Sequence, residues 1–502
     1  LYEVVIDWNP LVYGMYRLAM RMRFVMMLVT LLVWPTTYGH AAEIALPEIG
    51  DSAGALISPQ QEYRIGQAFF WRLQQSVDLV DDPEVNHYIK SLGQRLVSNS
   101  DAPALPFKFF MVPDPRVNAF AAPGGFIGVN AGLLLTSQQE DELASVLAHE
   151  IAHVTQRHLL RSLEKQQQGS IPRAIALLSA ALLAAVDPQA GVAALTVVQA
   201  SGVQSQIDHT RAHEAEADNL GMLNLVRAGF NAQAMPTFFE RLQQTSRFYN
   251  SNSVPEFLRT HPVTTSRIAE ARGRAVTYTQ RLGQRRDDLS FYLMREKLRV
   301  MTSTNLIGLK QHYTSALEKG NNRNTIASRY GFALALTAMG DYSRARKEVR
   351  SLIEGDAERL TYQLALADIE KASGRLTKAL NIYQANQRLY PNDYALSVKQ
   401  AIALLQAHQP KRAARLLLTQ LEVGKGSAQL YKLLAQAQGD LGQPSDAHGW
   451  LGEYYYSAGR FEQSEEQFKL AVKSAKGNQY QLAKLTSRLR EVEAMKVLME
   501  EL

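Results

Sequence analysis

The chain contains no cysteine. That excludes disulfide staples and thiolate-held metals, so a bound ion would need His, Asp or Glu. Repeated apolar runs near 20 residues are also missing, which argues against several membrane-spanning helices. Strong charge of either sign is absent as well. The formal net charge is +6 over 502 residues, with the cations scattered. Such a balance gives no nucleic-acid footprint and leaves weak attraction to anionic surfaces.

What is present is ordinary globular material. Hydrophobic residues make up 46% and charged residues 20%, enough for a sizeable core. The length suggests more than one domain. Near the N-terminus, Arg21 and Arg23 precede an apolar run, Phe24 to Trp34, of 11 residues. Pro35 breaks the run, and Gly39-His40-Ala41 offers small residues for cleavage. Residues 20–41 therefore read as a signal peptide, with an uncleaved anchor as the alternative. Residues 1–19, ahead of Met20 and Met22, read as a gene-start extension. Residues 42–60, with Pro47, Gly50, Gly54 and Pro59, read as a linker.

Helical periodicity begins near Gln61 and runs to about Val97, restarting at Asp82-Pro83-Glu84. Phe107–Val112 is a short strand candidate. Val117–Phe120 and Phe126–Val129 are two more, flanking the turn Pro123-Gly124-Gly125. Ser137 and Glu140 have capping-box spacing. Leu143, Val146, Leu147, Ile151 and Val154 then recur at the helical period. Residues 171–207 are apolar and rich in small side chains. Each arm of that stretch is short for a membrane crossing, so it reads as a lid or buried helical pair, with membrane contact as the alternative.

From about residue 290 a repeat emerges. Gly340, Gly374, His408 and Gly442 lie 34 residues apart, and five residues after each stands an alanine: Ala345, Ala379, Ala413 and Ala447. Pro391 falls where a helix pair should end, and Gly459 begins a further turn at half the period. This period matches the tetratricopeptide repeat (TPR), in which small residues let paired helices approach closely. Such arrays bind peptides or protein surfaces.

The chemistry sits in His149-Glu150-Ile151-Ala152-His153, an HExxH motif. On a helix the two histidines share a face and can reach one metal, while Glu150 is rotated beside a bound water. The alternative is an amphipathic helix with two surface histidines. His158, nine residues after His149, falls on the opposite face and is set aside as a ligand. A catalytic zinc needs a third protein ligand. Glu214 and Asp218 share a helical face downstream, Glu216 points elsewhere, and His209 and His213 form another i, i+4 pair that spacing alone does not exclude.

HExxH followed by Glu214-Ala-Glu-Ala217-Asp218 resembles the ExxAD signature of the gluzincin family that includes HtpX and the CaaX prenyl endopeptidases. Asn118-Ala119-Phe120-Ala121, before Pro123-Gly124-Gly125, is similar to that family's strand beside the active site. The resemblance implies zinc ligands His149, His153 and Glu214, one Zn2+ per chain, catalytic Glu150 and supporting Asp218. It also implies that Asn118 to Ala121 form an edge for the substrate strand. Thr260-His261-Pro262 with Arg267 resembles the family's His-Pro…Arg segment. His261 would then be an inhibitory fourth zinc ligand, and Arg267 a support. The alternative is a helix-entry loop in which Pro262 starts a helix and Arg267 makes a salt bridge.

The expected architecture is mostly α. A gluzincin-like α+β metallopeptidase domain with a small sheet spans 61–285, followed by an α-helical TPR array over 290–502. With the leader, this resembles the family's periplasmic protease-chaperones of Gram-negative bacteria. The resemblance implies clients among misassembled outer-membrane proteins and a partner in the β-barrel assembly machinery. It also implies a chaperone-like role and the TPR array as recruiter, with peripheral membrane contact left open. The rival reading is a TPR scaffold with a silent, self-inhibited zinc site. An intramembrane prenyl-type endopeptidase lacks the required apolar spans.

Overall fold

A computed structural model describes residues 57–165, 203–248, 255–278, 288–319, 324–424, 426–475 and 478–501. The expected extension 1–19 and leader 20–41 lie outside the described residues. So do the linker up to residue 56 and the apolar segment up to residue 202.

Two capped helices open the described chain. Helix α1 (Pro59–Ser76) starts at a capping box: Ser58 accepts from the Gln61 amide, and the Gln61 side chain accepts from the Ser58 amide. Helix α2 (Pro83–Val97) starts where Asp82 accepts from the amides of Glu84 and Val85. These caps satisfy donors that a first helical turn leaves without partners. Val85, Ile89, Leu92 and Leu96 recur at helical spacing and form the buried face of α2. Truncating Ile89 to alanine there costs about 2–5 kcal/mol.

Strands β1 (Lys108–Val112), β2 (Ala119–Ala122) and β3 (Phe126–Asn130) form a sheet of order β1-β3-β2. β3 runs parallel to β1 and antiparallel to β2. Its five residues are all buried, as suits a central strand covered on both faces. The link from β2 to β3 passes through Gly124 and Gly125, with φ of 69° and 87°, values that glycine adopts without a Cβ penalty. β2 begins two residues beyond the predicted Val117, whose carbonyl instead accepts from the Phe257 amide.

Helix α3 (Ala131–Thr136) leads into α4 (Glu140–Thr155). The predicted capping box does not form. Ser137 closes α3, donating its hydroxyl to the Leu133 carbonyl, and Gln139 precedes α4 without a side-chain cap. Helix α4 is nevertheless largely enclosed, with Leu143, Val146, Leu147 and Ile151 fully buried. It stops at Thr155. Arg157 then takes a φ of 51°, and α5 (His158–Lys165) starts afresh. Glu62 and the Ile57 carbonyl hold the Arg157 guanidinium at 3.1 and 2.8 Å, which offsets the cost of a left-handed non-glycine residue.

Helix α6 (Val203–Arg227) packs along α4. Gly221 sets how close: a Cβ there would lie 3.0 Å from the backbone of His149. Helices α7 (Ala234–Phe248), α8 (Glu256–Thr260) and α9 (Thr265–Tyr278) follow.

The remainder is helical: α10 (Leu289–Thr302), α11 (Leu306–Lys319), α12 (Thr325–Ala338), α13 (Tyr342–Gly355), α14 (Leu360–Ala372), α15 (Leu376–Leu389), α16 (Tyr394–Gln406), α17 (Pro410–Glu422), α18 (Ala428–Asp440), α19 (Pro444–Ser457), α20 (Phe461–Ser474) and α21 (Gln479–Glu501). Gly340, Gly374, His408 and Gly442 each end the first helix of a pair in the left-handed region, His408 at φ 54°. Ala345, Ala379 and Ala413 are fully buried where paired helices meet, and Ala447 is half-buried. Gly459 turns α19 into α20.

One apolar cluster extends from Val80 to Ile369. Largely buried ion pairs tie these elements together and add α16. Lys297 on α10 meets Asp82 at 3.0 Å and also Glu84; Lys399 on α16 meets Glu84 at 3.5 Å and Asp368 on α14 at 2.5 Å. At the far end of the array, Phe461 and Tyr456 pack edge-on against Trp71 of α1.

Candidate metal centre

Two helices and one loop supply the donors. Helix α4 presents His149 and His153 one turn apart on one face, and α6 presents Glu214 and Asp218 in the same way. The α8–α9 loop contributes His261, whose amide donates to the Phe257 carbonyl at 2.7 Å and whose ring stacks on Phe257. Among the described residues, ligand atoms of His149, His153, Glu214 and His261 all lie within 4.8 Å of one another.

The separations are informative. His149 Nε2 lies 3.0 Å from His153 Nε2, 3.3 Å from His261 Nδ1 and 3.4 Å from Glu214 Oε2. Glu214 Oε1 lies 3.3 Å from His153 Nε2 and 3.0 Å from His261 Nδ1. Ligand atoms about 2.0–2.1 Å from a tetrahedral zinc-sized cation stand about 3.3–3.4 Å apart. The five separations, 3.0–3.4 Å, come close to that spacing, so these donors could hold such a cation. Glu150 stands beside them, with Oε1 buried, unbonded and 3.4 Å from His261 Nε2.

Behind the donors lies a second layer. His149 Nδ1 is 3.0 Å from Asp218 Oδ1. Arg267 clamps Asp218 through Nε at 2.7 Å and Nη2 at 2.8 Å, and its Nη1 reaches Glu214 at 2.8 Å. The predicted salt bridge of Arg267 and the approach of His261 thus occur together. The helix starts at Thr265 and not at Pro262, whose carbonyl accepts from Arg267.

Charge follows this geometry. Burial disfavours a charged His149, but Asp218 and Glu214 outweigh it and raise the imidazole to about 10. Burial dominates at His153 and lowers it to about 3. Burial likewise raises the Glu150 carboxyl. For Glu214 and Asp218 burial also works upward, but their partners prevail. His261 and His149 hold Glu214 well below the usual range, and Arg267 and His149 hold Asp218 down.

The other candidates fall nearby or apart. His213 is not in the donor group; its ring stacks on His158 with centroids 4.3 Å apart. His209 lies on α6, its side chain outside the described residues. Ala119 to Ala121 lie on β2, an edge strand packed against α4, and Asn118 precedes it, fully buried. Phe120 packs on Phe69 and Phe110, while Ala121 is half-buried. Sequence spacing missed His158, because α4 does not continue through Arg157 as assumed. It also missed Gly221, although Glu214, Asp218 and Gly221 stand at i, i+4 and i+7 on one face.

Comparison with known proteins identifies the family. Residues 83–275 match the model of Peptidase family M48. The chain is 35% identical over 471 residues to the beta-barrel assembly-enhancing protease of Escherichia coli, covering 93% of this chain and 96% of that protein. The putative beta-barrel assembly-enhancing protease of Vibrio cholerae is 34% identical over 82% of this chain and 84% of its own. The mitochondrial metalloendopeptidase OMA1 of Arabidopsis thaliana is 28% identical over 37% of this chain and 35% of its own. Near-full-length identity at this level, together with the family match over the metal centre, leads to one conclusion: the chain belongs to peptidase family M48, a family of metallopeptidases.

Proposed function

We propose that this chain is a periplasmic zinc endopeptidase that degrades misassembled outer-membrane proteins and assists their assembly. The convergence of His149, His153, Glu214 and His261, with donor atoms within 4.8 Å of one another, carries the zinc assignment. His149, His153 and Glu214 are the standing ligands, with one ion per chain. His261, within reach of the same donors, would be an inhibitory fourth ligand. The names of the bacterial relatives support the outer-membrane role. The signal-like segment 20–41 supports export. Among the described residues no helix is long and apolar enough to cross a membrane, which disfavours the prenyl-type reading.

The chain's own residues divide the chemistry. A zinc ion held here polarises the scissile carbonyl and lowers the pKa of a water at its open position to about 7. Glu150, buried and raised, takes a proton from the attacking water and returns it to the leaving amine. Asp218 fixes the His149 ring, and Arg267 fixes both Asp218 and Glu214. A substrate strand adds to the free edge of β2 at Asn118 to Ala121. The helical repeats recruit clients or the β-barrel assembly machinery.

A second reading has a specific observation behind it. His261 lies within ligand distance of the other donors, so a scaffold with a shut site would look the same at rest. Casein cleavage by the full chain and by His261→Ala, with and without chelator, separates the two. Chelator-sensitive cleavage supports the peptidase; none from either form, at full zinc occupancy, supports the scaffold.

A further inference from the structure

We infer that His158 and Glu216 form a relay that sets the tautomer of His153, making His158 a positioning residue for the metal centre. The inference rests on the zinc reading, because a tautomer matters only if Nε2 of His153 must stay bare for the ion.

The two α4 histidines are supported differently. His149 meets a carboxylate directly, with Nδ1 3.0 Å from Asp218. His153 meets another imidazole: its Nδ1 lies 3.0 Å from His158 Nδ1. Two ring nitrogens at this distance need one donor and one acceptor. The far side of His158 decides which is which. His158 Nε2 lies 3.1 Å from Glu216 Oε2, and a carboxylate only accepts. His158 therefore carries its proton on Nε2 and accepts at Nδ1. His153 must then donate from Nδ1 and present a bare Nε2 to the site.

The relay is built, and its parts are held. Arg161 Nη1 lies 3.1 Å from the same Glu216 oxygen and anchors that carboxylate. The ring of His213 stacks on His158 at an interplanar angle of 9° and fixes its plane. The left-handed turn at Arg157 swings His158, nearly fully buried, back onto the centre. The acidic residues of the 214–218 segment thus divide the support between them. Glu214 faces the donor group, Asp218 backs His149, and Glu216 backs His153 through His158.

Selective 15N-histidine NMR of the full chain tests this. In the metal-free protein, His153 should carry its proton on Nδ1 and His158 on Nε2, and both should keep these positions with zinc. A proton on His158 Nδ1, or on His153 Nε2, in the metal-free protein overturns the relay. In Glu216→Ala, whose side chain is 36% exposed, His153 should lose its single tautomer. Zinc should bind about 10–100-fold more weakly in Glu216→Ala and His158→Phe, measured by competition with a chromogenic chelator. Unchanged tautomers and unchanged affinity in a folded Glu216→Ala chain also overturn it. A parent that binds no zinc defeats the zinc reading instead, while the metal-free spectrum still decides the relay.

Discussion

His261 Nδ1 stands 3.3 Å from His149 Nε2, although 112 residues separate them in the chain. On the proposed zinc reading, an imidazole at that distance would compete with substrate and water for the ion. His261→Ala should therefore raise kcat/KM on casein about tenfold or more, since the parent's competent state is only fractionally populated. Parental or lower activity in a folded, zinc-replete variant contradicts the inhibitory role.

Glu150 has no part in the cluster of ligand atoms, so its amide analogue separates binding from chemistry. Glu150→Gln should hold a full equivalent of zinc, while cleavage falls by about 10²–10⁴-fold. Elemental analysis and an assay in the His261→Ala background read both. Undiminished turnover removes Glu150 from the mechanism.

The proton on His149 competes with the ion for Nε2. Its value in the metal-free protein, about 10, lies above the ordinary 6.5 of an imidazole. The stability this proton contributes is complete below about 6.5 and is lost as pH rises through about 10. Zinc must displace the proton, so apparent affinity should rise about tenfold per pH unit from 7 to 9. Asp218→Asn should flatten that slope and weaken zinc by about 10–100-fold. A pH-independent affinity in the parent contradicts the assignment.

Lys297 and Lys399 pair with Asp82, Glu84 and the half-buried Asp368 in the cluster that joins α2 to the repeats. Lys297→Met takes the ammonium from the buried Asp82 and leaves Glu84 with Lys399 alone, at 3.5 Å. The expected loss is about 3–5 kcal/mol, read from the urea midpoint. A loss below about 1 kcal/mol, the scale of an exposed pair, shows that the cluster is solvated.

The motif spacing made the donor set and the repeat turns legible, and the reasons are local. A helix places i and i+4 on one face, so His149 with His153 and Glu214 with Asp218 could be paired without coordinates. Glycine tolerates the left-handed region, so Gly340, Gly374 and Gly442 marked their turns. His408, a non-glycine in that conformation, was found through the repeat period alone, and where no repeat flagged it, at Arg157, the reading failed. Arg157 ended α4 with no compositional warning, and its φ is sustained by Glu62 and Ile57, 95 and 100 residues earlier. The capping box at Ser137 failed because that serine served the end of the preceding helix. The ion cluster was invisible because its members come from α2, α10, α14 and α16, which only the packing of the chain brings together.

Zinc bound by the purified full chain, counted by elemental analysis beside Glu214→Ala, probes the centre most directly. The account predicts one zinc per parent chain and well under a tenth of that in the variant after dialysis at equal folded fraction. Equal zinc in both, or none in the parent, contradicts it.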